Sequence, residues 1–468
     1  MAAMIRNRAI SPIELIEAHL GRIEDLNPLL NAFECLDAKG ALEQARAAQH
    51  ALADGRAVGP LHGVPITIKS SIDVAGLPTP SGSRLRAGHV AAADAPLVAR
   101  LKAAGAIVLG NTNAPEMLMA YETDNLLQGR TNNPWALDRT PGGSSGGESA
   151  AIAAGLSAAG VGSDGGGSIR VPAHYTGICG LKPTPGRIPG TGHYPPPVGP
   201  FALIGVVGPM ARTVADLKLM FEVMAGPDDG DSMAAPAPVR QVGESELRGL
   251  CVGYFEDDGH TPVTPETRAA VRAAAAALTE AGLRVQPFRP DGLERARQFW
   301  WVFFGLAGAF VLGPALAGHE EELSPILKEF TGIVAAEPPL TAERLMNAWI
   351  ARDELRARFL AQMSEFPVLV CPVCSIPAFR HGEREWRVEG RAVRYLRDPD
   401  VFTYSQWFNL LGNPAVVVPV GRSSEGLPIG VQVVGRPYEE ELILAVAAEI
   451  EKRCGGWQAP PLSVQRSQ

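Results

Sequence analysis

Residues 141–170, PGGSSGGESAAIAAGLSAAGVGSDGGGSIR, constrain this chain more than any other stretch. Two glycine-flanked serine sites lie in it, Gly142-Gly143-Ser144-Ser145-Gly146-Gly147 and Asp164-Gly165-Gly166-Gly167-Ser168, joined by an Ala-rich segment. Glycine tolerates backbone angles closed to other residues and lets a ligand approach the main chain closely. Two such loops, each presenting a hydroxyl, predict a site that holds an anion or a developing oxyanion on backbone N–H groups. The rest of the sequence has to say which, and what activates the serines.

Composition narrows the partners. A chain of 468 residues allows two or three domains by length alone, although large α/β enzymes often keep one sheet. The formal net charge of −8 argues against nucleic acid or an anionic membrane as the main partner. Six cysteines are too few for a disulfide scaffold and suit a reducing, cytoplasmic setting. The opening MAAMIRNRAISPIEL reads as lacking a secretory signal. Phe299 to Gly318 carries no charge and has the length of a membrane span. Being lone, Pro-interrupted and without a flanking Lys/Arg bias, it is read instead as a buried helix. The expectation is a break near Gly313-Pro314 and aromatics lining a pocket.

In chain order, Ser11-Pro12-Ile13-Glu14 carries a capping box, and Leu15, Ile16, Leu20, Ile23 and Leu26 repeat at helical spacing. Asn27-Pro28 is expected to end that helix. A second helix spans about 38–52. The β-branched run 64–68 predicts a strand with Lys69 at its end. A helix is expected over 97–105 and a buried strand over 106–110. From 185 to about 209 the chain reads as Pro- and Gly-rich loop. A helix behind Thr213 runs to about Met224, and the acidic, Pro-rich segment 226–248 reads as an exposed connection. Strand 250–254, a helix from Pro265 to Gly282 and strand 283–285 give a strand–helix–strand order that indicates α/β architecture. The aromatic run 299–312 and a charged helix at 341–362 form a helical insertion, about 290–365. Strands near 368–371, 415–420 and 429–434 and a helix over 440–453 close the chain.

Several chemistries fall away. Gly160-Val161-Gly162-Ser163-Asp164-Gly165 matches GxGxxG, but poor helix starters follow it and no acidic residue stands about twenty positions on. Cys371-Pro372-Val373-Cys374 has neither a second CxxC nor a nearby His pair and reads as small buried cysteines at a strand end. No metal and no cofactor are called for. His174 and His193 lie near the serine loops, so a Ser-His-Asp arrangement stays open, although the GxSxG elbow is absent. A lysine is the other base: burial lowers its pKa and leaves a neutral amine, and lysine-activated serines exist.

The run GGSSGG followed by SDGGGSIRVPA, with Ser144 and Ser168 separated by 24 positions, resembles the amidase signature family. So do G-x-P-x-x-x-K around Lys69, GICGLKPT at 177–184, GPMARTVADL at 208–217, LPIGVQVVG at 427–435 and the N-terminal SPIELIEAHLGRIEDLNPLLNAF. The likeness covers nearly the whole chain. It implies one domain over residues 1–468, a large twisted mixed β-sheet covered by helices on both faces, with the 290–365 insertion lining the substrate entrance. It also implies a Ser–cisSer–Lys triad: Ser168 as nucleophile, Ser144 on a cis peptide bond as proton relay, and Lys69 as neutral base. The N–H groups of Gly165, Gly166, Gly167 and Ser168 would form the oxyanion hole. Ser145 would join the network around Lys69 and Ser144, and Asp164 and Arg170 would hold the loop. Two positions depart from the usual pattern: Ser70 stands where many members have Asp, and Gly165 where Thr or Ile is common.

The family resemblance assigns the segment Met117, Leu118, Met119, Ala120 and Tyr121 to the acyl pocket. That segment is apolar, as is the 299–312 run, so the expected substrate is a neutral, hydrophobic or aromatic small amide or carbamate (urethane), and esters are within reach of the same triad. A monomer or homodimer is expected, with no nucleic-acid partner. One alternative is the glutaminase component of a tRNA-dependent amidotransferase, which typically carries a Ser-Leu-Asp-Gln run after the LKPT loop. Here Phe201-Ala202-Leu203-Ile204-Gly205-Val206-Val207 stands instead. The other is a non-catalytic binding protein of the same fold, which the presence of all three triad residues disfavours.

Overall fold

The computed structural model describes residues 1–56 and 58–462. Thirteen strands form among them: β1 (Phe33–Leu36), β2 (Pro65–Lys69), β3 (Ile107–Thr112), β4 (Ala159–Asp164), β5 (Cys179–Lys182), β6 (Val206–Ala211), β7 (Cys251–Tyr254), β8 (Arg284–Pro287), β9 (Val368–Pro372), β10 (Glu385–Val388), β11 (Arg391–Arg394), β12 (Ala415–Arg422) and β13 (Pro428–Gly435). β10 and β11 make a separate hairpin; the others form one eleven-stranded sheet in the order β1-β3-β2-β4-β6-β5-β12-β13-β9-β7-β8. Pairing is mixed. β2 runs parallel to both β3 and β4, and β7 parallel to β8 and β9, while β4–β6 and β12–β13 are antiparallel.

Side chains alternate across a strand, so a valine run buried on both sides feeds two cores. On β12, Val416 and Val418 join Ile66, Ile68 and Val161 on one face, with Leu217, Leu278 and Ile443 from helices Val214–Met224, Pro265–Glu280 and Glu440–Cys454. Val417 faces the other way, toward Val171, Trp300, Phe359 and Phe408. A third cluster packs Ile16 and Ile23 against Leu109 and Ala150.

The helix Pro12–Leu30 has the expected capping box, Ser11 with Glu14, but runs through Pro28 to Leu30. Proline in the last turn loses one hydrogen bond without a following turn to disrupt. Asn27 Oδ1 takes the Ala32 N–H instead, and Asn31 closes the helix in the left-handed region. The apolar helix Leu293–Leu316 is likewise unbroken at Gly313-Pro314. It is long and apolar enough to span a bilayer, yet half of its most apolar window is packed inside the fold. Its middle is a π turn, Val302–Leu306. β4 escapes strand propensity because it reads Ala-Gly-Val-Gly-Ser-Asp. The packing explains the composition: a Cβ on Gly160 would stand 1.8 Å from Glu148 Oε1.

Segment 226–248 is not only an exposed connection. Asp231 Oδ2 accepts the Gly190 N–H at 2.8 Å, Asp228 accepts from Thr191 Oγ1 at 2.5 Å, and Arg187 donates to the Ala237 and Pro238 carbonyls. It buttresses the 186–207 loop.

Candidate active site

β2, β3 and β4 end together. Lys69 closes β2 opposite Thr112 of β3, and β4, on the other side of β2, finishes at Ser163 and Asp164. Carboxyl ends of adjacent parallel strands are where α/β sheets place ligands. Lys69 is fully buried. Its Nζ stands 2.6 Å from Ser144 Oγ and 3.0 Å from both Ser145 Oγ and Ser163 Oγ. No carboxylate pairs with it among the described residues. Burial pushes its pKa well below the ordinary lysine value, and the more distant Asp164 and Glu148 offset this only in part. A neutral amine has two N–H donors and one lone pair, which matches three hydroxyl neighbours. Ser163 is not legible in the sequence because β4 is not; its position one residue before Asp164, on a strand ending beside Lys69, is the signal that places it.

The Gly143–Ser144 peptide is cis. Only glycine fits at 143, where a Cβ would meet the Glu122 backbone at 2.6–2.7 Å. Ser145 ties the two loops together: its N–H donates to Ser168 O at 3.1 Å and its Oγ–H to Ser163 O at 3.2 Å. Ser144 and Ser168 line the same cavity, but no hydrogen bond joins their hydroxyls. Glu148, in the helix Gly146–Ala153 that begins just after the serine pair, accepts from Thr67 Oγ1 and from Thr112 Oγ1, the latter at 2.8 Å. Burial pushes its carboxyl up to about 8. Ser70, where the family often has Asp, is buried with its hydroxyl unpartnered.

Asp164 and Arg170 pair beneath the second loop. Both are fully buried, and Arg170 Nε and Nη2 donate to Asp164 Oδ2 and Oδ1 at 3.0 and 3.1 Å. Burial alone would raise the Asp164 pKa; the Arg170 guanidinium and its hydrogen bonds outweigh that and keep the carboxyl well below the usual range. Arg170 reaches on to Asn409 and to Gln432, the latter at 3.0 Å. Of the four N–H groups assigned to an oxyanion hole, that of Gly167 is already donated to Asp164 Oδ1 at 2.7 Å. Those of Gly165, Gly166 and Ser168 have no protein acceptor among the described residues.

The cavity over the serines encloses about 600 Å³, open solvent at its mouth included. Leu118, Met119, Ile188, Phe201, Met233 and Phe304 give it apolar walls, and neither lysine nor arginine lines it among the described residues. Leu118 and Met119 are therefore on the cavity wall. Met117 and Tyr121 are not. Met117 (φ 51°) turns into the core, with its N–H on Ser81 O, and Tyr121 lies beneath the glycine loop, its O–H donating to Gly166 O at 2.7 Å. Gly165 makes room for Phe304, whose ring is 3.1 Å from where a Cβ would stand.

The histidines are otherwise engaged. His174 Nδ1 accepts the Gly430 N–H at 2.8 Å and its Nε2 faces Ile376 O at 3.3 Å; burial lowers its pKa to about 4. His193 lines the cavity with Nδ1 on Pro195 O at 2.8 Å and touches neither serine hydroxyl. Cys371 and Cys374 are free and buried. No cluster able to hold a metal occurs among the described residues.

The sequence profile of the amidase family matches residues 14–444. The chain belongs to the amidase family. It is 37% identical over 461 residues to an indoleacetamide hydrolase of Bradyrhizobium diazoefficiens, covering 97% of this chain and 86% of that one. It is also 36% identical over 469 residues to a glutamyl-tRNA(Gln) amidotransferase component of Roseiflexus castenholzii, covering 95% and 92%. Among solved structures, a bacterial aryl acylamidase of the amidase signature family superposes with a TM-score of 0.85 at 26% identity, covering 97% of this chain and 95% of that one. This amidase is thus a hydrolase of carbon–nitrogen bonds in amides, on a mixed α/β fold.

Proposed function

We propose that this amidase cleaves neutral, hydrophobic or aromatic small amides through an acyl-enzyme on Ser168, with Ser144 and Lys69 as its proton relay. The observation that carries the reading is Lys69: a buried amine without a carboxylate partner, its Nζ 2.6 Å from Ser144 Oγ. The relay requires a hydrogen bond between the hydroxyls of Ser168 and Ser144, which line the same cavity. Lys69 takes the Ser144 proton, Ser144 takes that of Ser168, and Ser168 Oγ attacks the carbonyl carbon. The oxyanion is received by the unpartnered N–H groups of Gly165, Gly166 and Ser168. Collapse breaks the C–N bond, and the proton returns through Ser144 to the leaving nitrogen. Water then repeats the sequence to release the acid and restore Ser168.

The walls support the substrate class. Leu118, Met119, Phe201 and Phe304 suit an apolar acyl or aryl group, and the lack of a lining cation leaves nothing to pair with the α-carboxylate of glutamine. That disfavours the glutaminase reading despite the amidotransferase relative. Carbamates and esters present the same carbonyl to the same nucleophile. The test is turnover of an anilide, a primary amide, an aryl carbamate, a nitrophenyl ester and glutamine by the wild type and Ser168→Ala. The expected result is hydrolysis of the neutral amides, absent in Ser168→Ala. Retained turnover in that variant, or a preference for glutamine, overturns the proposal.

A further inference from the structure

We infer that Trp300, on the helix inserted over the sheet, aims one N–H of the oxyanion loop, which makes it a positioning residue for the reaction proposed above; the inference rests on that reading. A trans peptide is planar, and its C=O and N–H point in opposite directions. In the Gly165–Gly166 peptide, Trp300 Nε1–H donates to Gly165 O at 2.8 Å. The N–H of that peptide, on Gly166, points away from the indole and has no protein acceptor among the described residues. In the next peptide, Tyr121 O–H donates to Gly166 O at 2.7 Å while the Gly167 N–H donates to Asp164 Oδ1 at 2.7 Å. That second peptide is fixed at both ends and has nothing left to offer. The first is fixed only through its carbonyl, and its free N–H lies between Gly165 and Ser168, both of which line the cavity.

The indole is well placed to orient the peptide. Trp300 is fully buried and stacks on Phe304 with ring centroids 4.6 Å apart and planes 14° apart. Glycine at 166 is what admits it, because a Cβ there would stand 2.4 Å from the indole ring and 2.8 Å from Tyr121 Oη. Phe304, within the π turn, lines the cavity directly, so one element supplies both a wall for the substrate and the clamp behind the loop. π turns recur at functional sites. Without the indole N–H, Gly165 O loses its anchor and the peptide is free to turn its N–H out of line.

Two substitutions remove the donor: Trp300→Phe, and Trp300→3-benzothienylalanine, in which sulfur replaces the N–H and the ring shape is kept. Trp301→Phe is the comparison: it removes an indole from the same helix whose Nε1 has no hydrogen-bond partner among the described residues and which does not line the cavity. The readouts are kcat and KM for an anilide and the inhibition constant of a phenylalkyl trifluoromethyl ketone, whose serine adduct carries an oxyanion. Both Trp300 variants are expected to lose about 10- to 100-fold in kcat and in ketone affinity, with KM within about twofold. Trp301→Phe is expected to keep kcat within about threefold. If Trp300→Phe fails to fold, the benzothienyl variant decides. Unchanged kcat and ketone affinity in that variant, a rise in KM alone, or an equal loss in Trp301→Phe overturns the inference. Turnover surviving in Ser168→Ala overturns the underlying nucleophile instead, so the two failures are told apart.

Discussion

Lys69 is fully buried without a carboxylate partner, so folding has to strip it either of water or of its proton. Its pKa lies well below the ordinary value, so over the range between the folded and unfolded pKa values the unfolded chain binds a proton that the folded protein does not. Folding is then penalised more as pH falls from about 10.4 toward the folded value. Lys69→Met is expected to cut kcat/KM for an amide by about 10²- to 10⁴-fold and to raise the unfolding midpoint, with a larger gain at pH 7 than at pH 10. Urea titrations at the two pH values check it; an equal gain at both would mean that the lysine stays charged. The wild-type rate should fall on acidification as Lys69 becomes protonated, read from a pH–kcat/KM profile. The residues that surround this amine are unequally visible in the sequence. Lys69, Ser144, Ser145 and Ser168 lie in recognisable motifs. Ser163 does not, because its contact exists only once β4 lies beside β2.

At the scale of elements, the helix Gly146–Ala153 carries a buried acid into the base of the site. The Glu148 carboxyl titrates near 8 against 4.5 in an unfolded chain, so the folded state holds the extra proton between those values and stability falls as pH rises through that window. Glu148→Gln, permanently neutral, is expected to remove this slope. The variant should gain on the wild type between pH 6 and pH 9 in thermal midpoint, with amide turnover at pH 7 within about tenfold. A gap between variant and wild type that does not widen as pH rises over that range rules out a protonated Glu148, since Lys69 contributes equally to both. Elements also explain the corrections to the pocket. An apolar pentapeptide, Met117 to Tyr121, reads as one wall, but the left-handed backbone at Met117 and Leu118 sends only part of it to the cavity. Tyr121 is pulled under the glycine loop by its hydroxyl. Hydropathy carries no signal for such a turn, since Met117, Leu118, Met119 and Ala120 are all apolar and only the Tyr121 hydroxyl stands apart.

Across the whole molecule, Arg170 links distant parts of the chain. It pairs with Asp164 at the end of β4, with Gln432 in the middle of β13 and with Asn409 on the helix Thr403–Leu410. Arg170→Met leaves Asp164 charged and buried, an arrangement that costs about 3–5 kcal/mol. The expected outcome is a lower denaturation midpoint together with lost turnover, because Asp164 also fixes the Gly167 N–H. Asp164→Asn with Arg170→Met should recover part of the stability but not the activity; a double variant no more stable than the single one would show that the ion pair is not what the loss reflects. The cavity is a product of the same scale. Its walls come from 118–119, from the 186–207 loop, from Met233 and from Phe304 of the inserted helix. The segment around Met233 reads as a connection because its polarity is that of an exposed loop, and only tertiary contacts, among them its hydrogen bonds with Gly190, Thr191 and Arg187, bring it to the site.

What the sequence determined by itself is the local chemistry. Glycine spacing marks loops whose backbone can approach a carbonyl, a lysine closes an apolar strand, and β-branched runs separated by capped helices make an α/β sheet. These are short-range properties, written in residues near one another in the chain. What only the tertiary structure decided is partnership across the chain. It decided which amides of the glycine loop are spent and which are free, that Trp300 lies behind Gly165, that Ser163 completes the lysine's shell, and which apolar side chains face substrate rather than core. Most of those outcomes depend on planar peptides and buried polar groups finding partners up to 262 residues away, and no local pattern encodes where such a partner sits.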